Sequence, residues 1–407
     1  MTRRVTVSKG RILLLENIHP GAMENLESAG YEVDLLSKAL GEEDLARELK
    51  DCVAVGIRSK THVTPAVLEA AEGLRAVGAF CIGTNQIALD DANRRGVPAF
   101  NAPFSNTRSV AEMVMADIVF LARRLGDRNN QMHRGVWKKS ATGSHEVRGK
   151  TLGIIGYGHI GRQVGVLAEA FGLQVLFHDI SNQLPMGNNR PSVGLEDLLE
   201  ASDFVSLHVP ATSLTENMIG EAQIRRMKKG GYLLNLSRGN VVVIEALAAA
   251  LKDGHLAGAA VDVYPKEPKT NDEPFESELQ GLSNVILSPH VGGSTQEAQV
   301  SIGQEVSTAL IRYLDFGITA GAVNVPTADL APREGTHRIQ HFHRNVPGVL
   351  GDVHRIVANH GANVVGQVLA TDPQVGYLVM DVAGGEGAAI VQDVAALKTT
   401  VRARLLY

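Results

Sequence analysis

TLGIIGYGHIGRQVG, residues 151–165, constrains the fold more than any other stretch of this chain. An apolar strand runs into three glycines, Gly156, Gly158 and Gly161, and an apolar helical pattern follows. A lone G-x-G-x-x-G recurs by chance in a chain with 42 glycines, so its place between strand and helix carries the information. There Gly156 permits a tight turn, Gly158 lets the backbone approach a pyrophosphate, and Gly161 lets helix and sheet pack closely. The amides of His159 and Ile160 then face the phosphates. About 20 residues further on, where such turns place an acid for the ribose hydroxyls, Asp179 closes the strand LQVLFHD. Ile180 follows it, not arginine. A 2′-phosphate would meet a carboxylate without a compensating cation, so the expected cofactor is NAD.

Around this turn the chain alternates strand and helix. RILLLEN, YEVDLLS, CVAVGIRS, LRAVGAFCIG and VPAFNA read as buried strands, with HPGAMENLESAG, TPAVLEAAEG and IALDDANRRG as helices between them. NTRSVAEMVMADIVFLARRL, with N-cap candidates Ser105 and Asn106, leads into a second series: TLGIIG, LQVLFHD, DFVSLHV, GYLLNLS, LAGAAVDV and NVILSPH. The helix STQEAQVSIGQEVSTALIRYL then returns towards the first series. The expected architecture is α/β: two Rossmann-like parallel-sheet domains, a discontinuous substrate domain at 1–105 and 296–327 and a cofactor domain at 106–295. A linker at 328–336, poor in periodicity and rich in Pro, Gly and small polar residues, precedes a ferredoxin-like βαββαβ unit at 337–407.

Composition narrows the partners. A net charge of -5 without a long basic run argues against nucleic acid or an anionic membrane. Cys52 and Cys81 make no metal or redox spacing, and the apolar run near the basic start is too short for a signal-peptide core. A cytosolic protein with reduced thiols is expected.

Three further stretches fall at ends of expected strands, where open α/β sheets bind ligands. They are NLSRGN with Arg238, PKEPKT with Glu267 and LSPHVGGST with His290. Oxidising a secondary alcohol needs a base for the hydroxyl proton, and a histidine suits that task. His290 is the candidate, Glu267 would hold its other ring nitrogen and raise its pKa, and Arg238 offers a planar fork for a carboxylate.

Taken together, the glycine fingerprint, the SRG turn, the Glu in its Pro-flanked loop and SPHVGGST resemble the D-isomer-specific 2-hydroxyacid dehydrogenases. CIGTNQ, NAPFSNTRSVAE, HRGVWKKS, IIGYGHIG, SPHVGGSTQEAQ and RARLLY narrow the resemblance to the short bacterial-type branch that acts on 3-phosphoglycerate. It covers the chain from about residue 10 to the end. The resemblance implies catalytic roles for Arg238, Glu267 and His290. It also implies cofactor contacts from Leu236, Ser237, Asp262, Gly292 and Gly293, although an Asp closing a strand also serves as a turn cap. A phosphorylated acid calls for extra cations, which VGIRSKT and PFSNTRS supply. The resemblance implies that Arg58, Ser59, Lys60, Asn106 and Arg108 face the substrate and that the Gly83 loop presents backbone amides to its carboxylate. Lys60 departs from the Arg that the family leads one to expect: charge is kept, bidentate geometry is not.

The tail, HRIQHFHRNVPGVL onwards, resembles an ACT domain. His341 and His343 share a strand face, but no third ligand stands at metal spacing, so no metal is expected. By resemblance His343, Asn345 and Asn363 contact an L-serine effector across a pair of ACT domains in a homotetramer; Asn345 alternatively caps the helix that follows. Two other readings compete: a dehydrogenase for another D-2-hydroxyacid, and a non-catalytic NAD sensor on the same fold. The RSK and NTR cations oppose the first, and the intact Arg238, Glu267 and His290 oppose the second.

Overall fold

The computed structural model describes residues 8–268 and 272–407. The basic residues 1–7 and part of the Glu267 loop, 269–271, lie outside the described residues. The chain divides into two compact units, Met1–Ser105 with Gln299–Tyr407, and Asn106–Ala298.

The first unit opens with β1 (Arg11–Leu14), α1 (Pro20–Ser28), β2 (Glu32–Leu35), α2 (Glu42–Glu48), β3 (Cys52–Ile57), α3 (Pro65–Ala70), β4 (Ala76–Ala79), α4 (Leu89–Arg94) and β5 (Ala99–Phe100). The strands pair in parallel in the order β2-β1-β3-β4-β5. Their near-continuous apolar sequence suits a sheet covered on both faces: Ile12 and Leu14 face one core, Leu13 and Val55 the other.

The second unit starts with the long helix α5 (Thr107–Arg123) and α6 (Leu125–His133). It continues through β6 (Thr151–Ile155), α7 (His159–Ala170), β7 (Gln174–His178), β8 (Arg190–Pro191), α8 (Leu195–Ala201), β9 (Phe204–Leu207) and α9 (Glu221–Arg226). β10 (Gly231–Asn235), α10 (Ile244–Lys252), β11 (Leu256–Val261) and β12 (Val285–Leu287) complete its sheet. The parallel order is β12-β11-β10-β9-β6-β7-β8. From β6 the strands are added first to one side and then, from β9, to the other, and this reversal is the switch point at which such sheets open a ligand crevice.

α11 (Gln296–Phe316) carries the chain into the first unit. There follow β13 (His337–Arg344), α12 (Val349–Asn359), β14 (Asn363–Thr371), β15 (Val375–Ala383), α13 (Gly387–Ala395) and β16 (Thr400–Leu405). These strands form an antiparallel sheet in the order β14-β15-β13-β16, with both helices over one face. The other face is spent within the unit. Phe342, Tyr377 and Val379 join the core of Ile12, Phe100, Leu310 and Tyr313, and Arg402 Nη1 donates to the carbonyl of Leu74 at 2.6 Å. The stretch 328–336 is irregular but anchored. The fully buried Arg338 donates to the carbonyls of Leu330 at 2.8 Å and Ala331 at 2.7 Å while gripping Asp381 through two 2.7 Å bonds.

Candidate active site

The glycine turn joins β6 to α7 at the switch point. Gly156 has φ +90°, and a side chain there would strike the backbone of His208, at the end of β9, about 2.7 Å away. A Cβ on Gly161 would collide with the carbonyl of Gly156, whereas one on Gly158 meets open space. α7 starts at His159, which presents its first amides at the turn. Asp179, directly after β7, closes the arrangement: one oxygen accepts from the Tyr157 amide of the turn at 2.8 Å, the other from the Ser181 amide and hydroxyl. Burial pushes its carboxyl up, but these bonds outweigh burial and hold it below its ordinary range. Ile180 is 90% exposed, with no side-chain cation to neutralise a 2′-phosphate. A backbone cradle at a helix start beside an ionised acid fits NAD.

The expected acid–base residues, His290 and Glu267, sit on the same sheet edge. His290, in the turn after β12, takes φ +54°, a left-handed backbone for a non-glycine residue. Its Nδ1 lies 2.9 Å from Glu267 Oε2, while Glu267 Oε1 accepts from the Tyr264 amide at 3.1 Å. The carboxylate can only accept, so Nδ1 carries the proton and Nε2 is left as the atom that exchanges one. The Glu267 bond raises the His290 pKa against the opposing pull of desolvation. Burial pushes Glu267 up, yet its bond to His290 brings it below its ordinary range. Arg238 follows β10, with Nη1 donating to the Ser237 carbonyl at 2.7 Å and its own carbonyl bound by Asn235. A cavity of about 600 Å³ borders His290, Glu267, Tyr264, Phe275 and Ser288.

Asp262, at the end of β11, holds the His290 turn in place. Its carboxylate accepts from Ser288 Oγ at 2.5 Å, the Val291 amide at 2.9 Å and the Gly292 amide at 2.8 Å, and its carbonyl takes the His290 amide at 2.8 Å. These bonds cap the turn that carries His290. Gly293 lies against Asn106: a side chain there would strike the Asn106 amide, whose Oδ1 is buried without a partner among the described residues. Asn106 is the N-cap residue of α5 but makes no side-chain capping bond. Ser105 bonds Glu305 instead. Leu236 and Ser237 are buried in the turn after β10. Arg108 pairs with Glu112 one turn along its own helix at 2.6 Å, which engages that expected substrate cation.

The remaining expected residues lie in the first unit. Arg58, Ser59 and Lys60 form the turn after β3, with Ser59 and Lys60 exposed, and Gly83 lies in the loop after β4. In the C-terminal sheet His343 is buried over Gly376, its Nδ1 2.9 Å from the Arg344 carbonyl, and Asn363 starts β14 in an exposed position. Asn345 does not cap α12, whose N-cap is Gly348; its side chain donates to the Asp372 carbonyl at 2.7 Å. The loop offers fewer open amides than its sequence implies, because those of Asn345 and Val346 bond Gln374 and Arg344. Burial and the nearby His343 lower the His341 pKa to about 3. No group of three or more metal-ligating side chains occurs among the described residues. Both thiols are free, and burial raises that of Cys52 to about 11.

A dinucleotide-binding turn and a carboxylate-held histidine on one sheet edge define a class, and comparison agrees. The chain belongs to the D-isomer-specific 2-hydroxyacid dehydrogenase family: residues 115–292 match the model of that family's NAD binding domain. Residues 339–402 match the AHAS small subunit-like ACT domain. Along its full length the chain is similar to proteins named D-3-phosphoglycerate dehydrogenase. It is 51% identical over 409 residues to that of Escherichia coli strain K12, covering 99% of this chain and 100% of the relative. It is 50% identical over 399 residues to that of Dictyostelium discoideum, covering 98% of each. A crystal structure of D-lactate dehydrogenase from Aquifex aeolicus, complexed with NAD and lactic acid, superposes with a TM-score of 0.67 at 26% identity, over 78% of this chain and 100% of that one. The protein is an oxidoreductase of this family, and NAD is its cofactor.

Proposed function

We propose that the protein oxidises 3-phospho-D-glycerate to 3-phosphohydroxypyruvate, the first step of L-serine biosynthesis, and that L-serine inhibits it through the ACT domain. The observation that carries the chemistry is the 2.9 Å bond between His290 Nδ1 and Glu267, which fixes the tautomer and leaves Nε2 as the base. The names of the full-length relatives support the substrate.

In this reading Arg238 holds the substrate carboxylate in its planar fork and polarises the neighbouring oxygen. His290 Nε2 takes the hydroxyl proton, and Glu267 stabilises the imidazolium that results. NAD, when bound, supplies the hydride acceptor. Gly156, Gly158, Gly161 and the amides at His159 and Ile160 hold its pyrophosphate, and Asp179 its ribose. Leu236, Ser237, Asp262, Gly292 and Gly293 line the nicotinamide side, and Asp262 also sets the turn. Arg58, Ser59, Lys60, the Gly83 loop and Asn106 bind the phosphorylated acid, and Arg108 joins them on release from Glu112. His343, Asn345 and Asn363 bind serine between paired ACT domains. The domain boundaries that go with this reading are 1–105 with 296–327, 106–295 and 337–407. The assembly is a homotetramer, Trp137, 80% exposed, anchors a contact between subunits or domains, and two free thiols suit the cytoplasm.

The test is turnover of 3-phosphoglycerate, D-glycerate and D-lactate by the purified protein with NAD, with and without L-serine. The highest kcat/KM with 3-phosphoglycerate and a fall in rate on adding serine are expected. A preference for an unphosphorylated acid would overturn the substrate assignment, and indifference to serine the effector assignment.

A further inference from the structure

The backbone just after β1 is held where side chains rarely go: φ is 62° at Glu16 and 53° at Asn17. Two consecutive non-glycine residues in the left-handed region are strained, and strain that persists is a reason to ask what it positions. Here it aims the Glu16 side chain, only 8% exposed, beneath the turn that follows β3. Oε1 accepts from the amides of Arg58 at 3.2 Å and Thr61 at 2.8 Å, and Oε2 from the amide of Lys60 at 2.9 Å. Gln86 works on the carbonyls of the same region. Its Nε2 donates to Arg58 at 2.6 Å and to Gly83 at 3.2 Å, tying the turn after β3 to the loop after β4.

Converging backbone N–H groups make an anion-binding nest. In this turn the protein's own carboxylate fills it. An incoming anion therefore finds those three amides already engaged and must be met by the side chains of Arg58, Ser59 and Lys60. We propose that Glu16 is a positioning residue for substrate selection, an internal anion that sets the footing from which the Arg58 and Lys60 side chains reach the substrate. Gln86 keeps the Gly83 loop in register with them. The proposal rests on the assignment of Arg58 and Lys60 to phosphate binding and deepens it: phosphate is recognised by side chains, not by the three amides that Glu16 holds.

Glu16→Gln tests this in the full-length protein. Glutamine preserves volume but turns an NH₂ group towards amide donors and removes the charge. The KM for 3-phosphoglycerate should rise about tenfold or more, from the loss of charge-assisted bonds, with kcat and the KM for NAD within about twofold. Glu16→Asp, which keeps the charge on a shorter arm, should give a smaller rise. In a Lys60→Ala background the added effect of Glu16→Gln should shrink to less than about threefold, because both act through one turn. An unchanged KM, equal losses in kcat and in NAD affinity, or full multiplication with Lys60→Ala would overturn the proposal. If Glu16→Gln fails to fold, Glu16→Asp decides, and an unchanged KM in that variant refutes it. Lys60→Ala and Arg58→Ala, measured alone, test the underlying assignment separately; if both leave the KM unchanged, phosphate binding at this turn is wrong and the role of Glu16 falls with it.

Discussion

Replacing Arg338 with Met should destabilise the first unit severely. Both Arg338 and Asp381 are buried, with side-chain exposures of 0% and 1%. The guanidinium makes two 2.7 Å bonds to the carboxylate and reaches the carbonyls of Phe316, Leu330 and Ala331. Removing one partner of such a pair strands the other charge, at about 3–5 kcal/mol. Desolvation opposes any buried pair, so this figure measures the stranded carboxylate and not the net worth of the bridge. The three orphaned carbonyls push the loss towards the upper end. For a unit of this size each kcal/mol shifts Tm by about 2–4 °C, so a fall of roughly 6–20 °C is expected. Differential scanning calorimetry at a fixed scan rate reads it. The double variant Arg338→Met with Asp381→Leu should recover part of the loss, because no charge is left stranded. A single variant that melts within about 2 °C of the parent would refute the reasoning, and so would a double variant that melts lower than Arg338→Met alone.

Further outcomes follow from the cofactor and acid–base sites. His290→Asn should lower kcat about 10²–10⁴-fold, measured by steady-state NADH formation, and near-normal turnover at neutral pH would remove the ring from the mechanism. Glu267→Gln removes the carboxylate charge whose hydrogen bond raises the His290 pKa; since oxidation needs the neutral ring, the acid limb of the kcat/KM profile should move to lower pH while kcat falls, and an unmoved limb would contradict the pairing. Gly156→Ala should abolish measurable NAD binding, because φ +90° and the His208 backbone leave no room for the methyl group, and isothermal titration calorimetry checks it. Asp179→Ala should narrow the preference for NAD over NADP, read as the ratio of kcat/KM values.

Most of the architecture is legible in the sequence because apolar strands and a glycine turn are local signals. TLGIIG, LQVLFHD and GYLLNLS become β6, β7 and β10 within a residue or two of their expected ends. α2 is harder to see. GEEDLARE buries only Leu45, so it shows no apolar stripe, and its acidic first turn with Arg47 in the last turn is the sole hint. The His290–Glu267 pair is legible because each residue sits in a recognisable turn. Glu16 is not: RILLLEN reads simply as a strand, and the partners of its carboxylate are backbone amides more than forty positions away, which no side-chain pattern encodes. Asn345 is misjudged as a possible cap for a related reason, since the competing acceptor, the Asp372 carbonyl, belongs to a different turn.

The shared core of Phe342, Tyr377 and Val379 with Phe100 and Tyr313 also bears on how the tail behaves once the chain is cut. Residues 331–335 are exposed and irregular, an open target for a protease. Cleavage there would break the chain yet free neither fragment, since the apolar surface that joins them does not depend on the severed peptide bond. The nicked protein should run as two bands under denaturing conditions and elute as one species under native conditions.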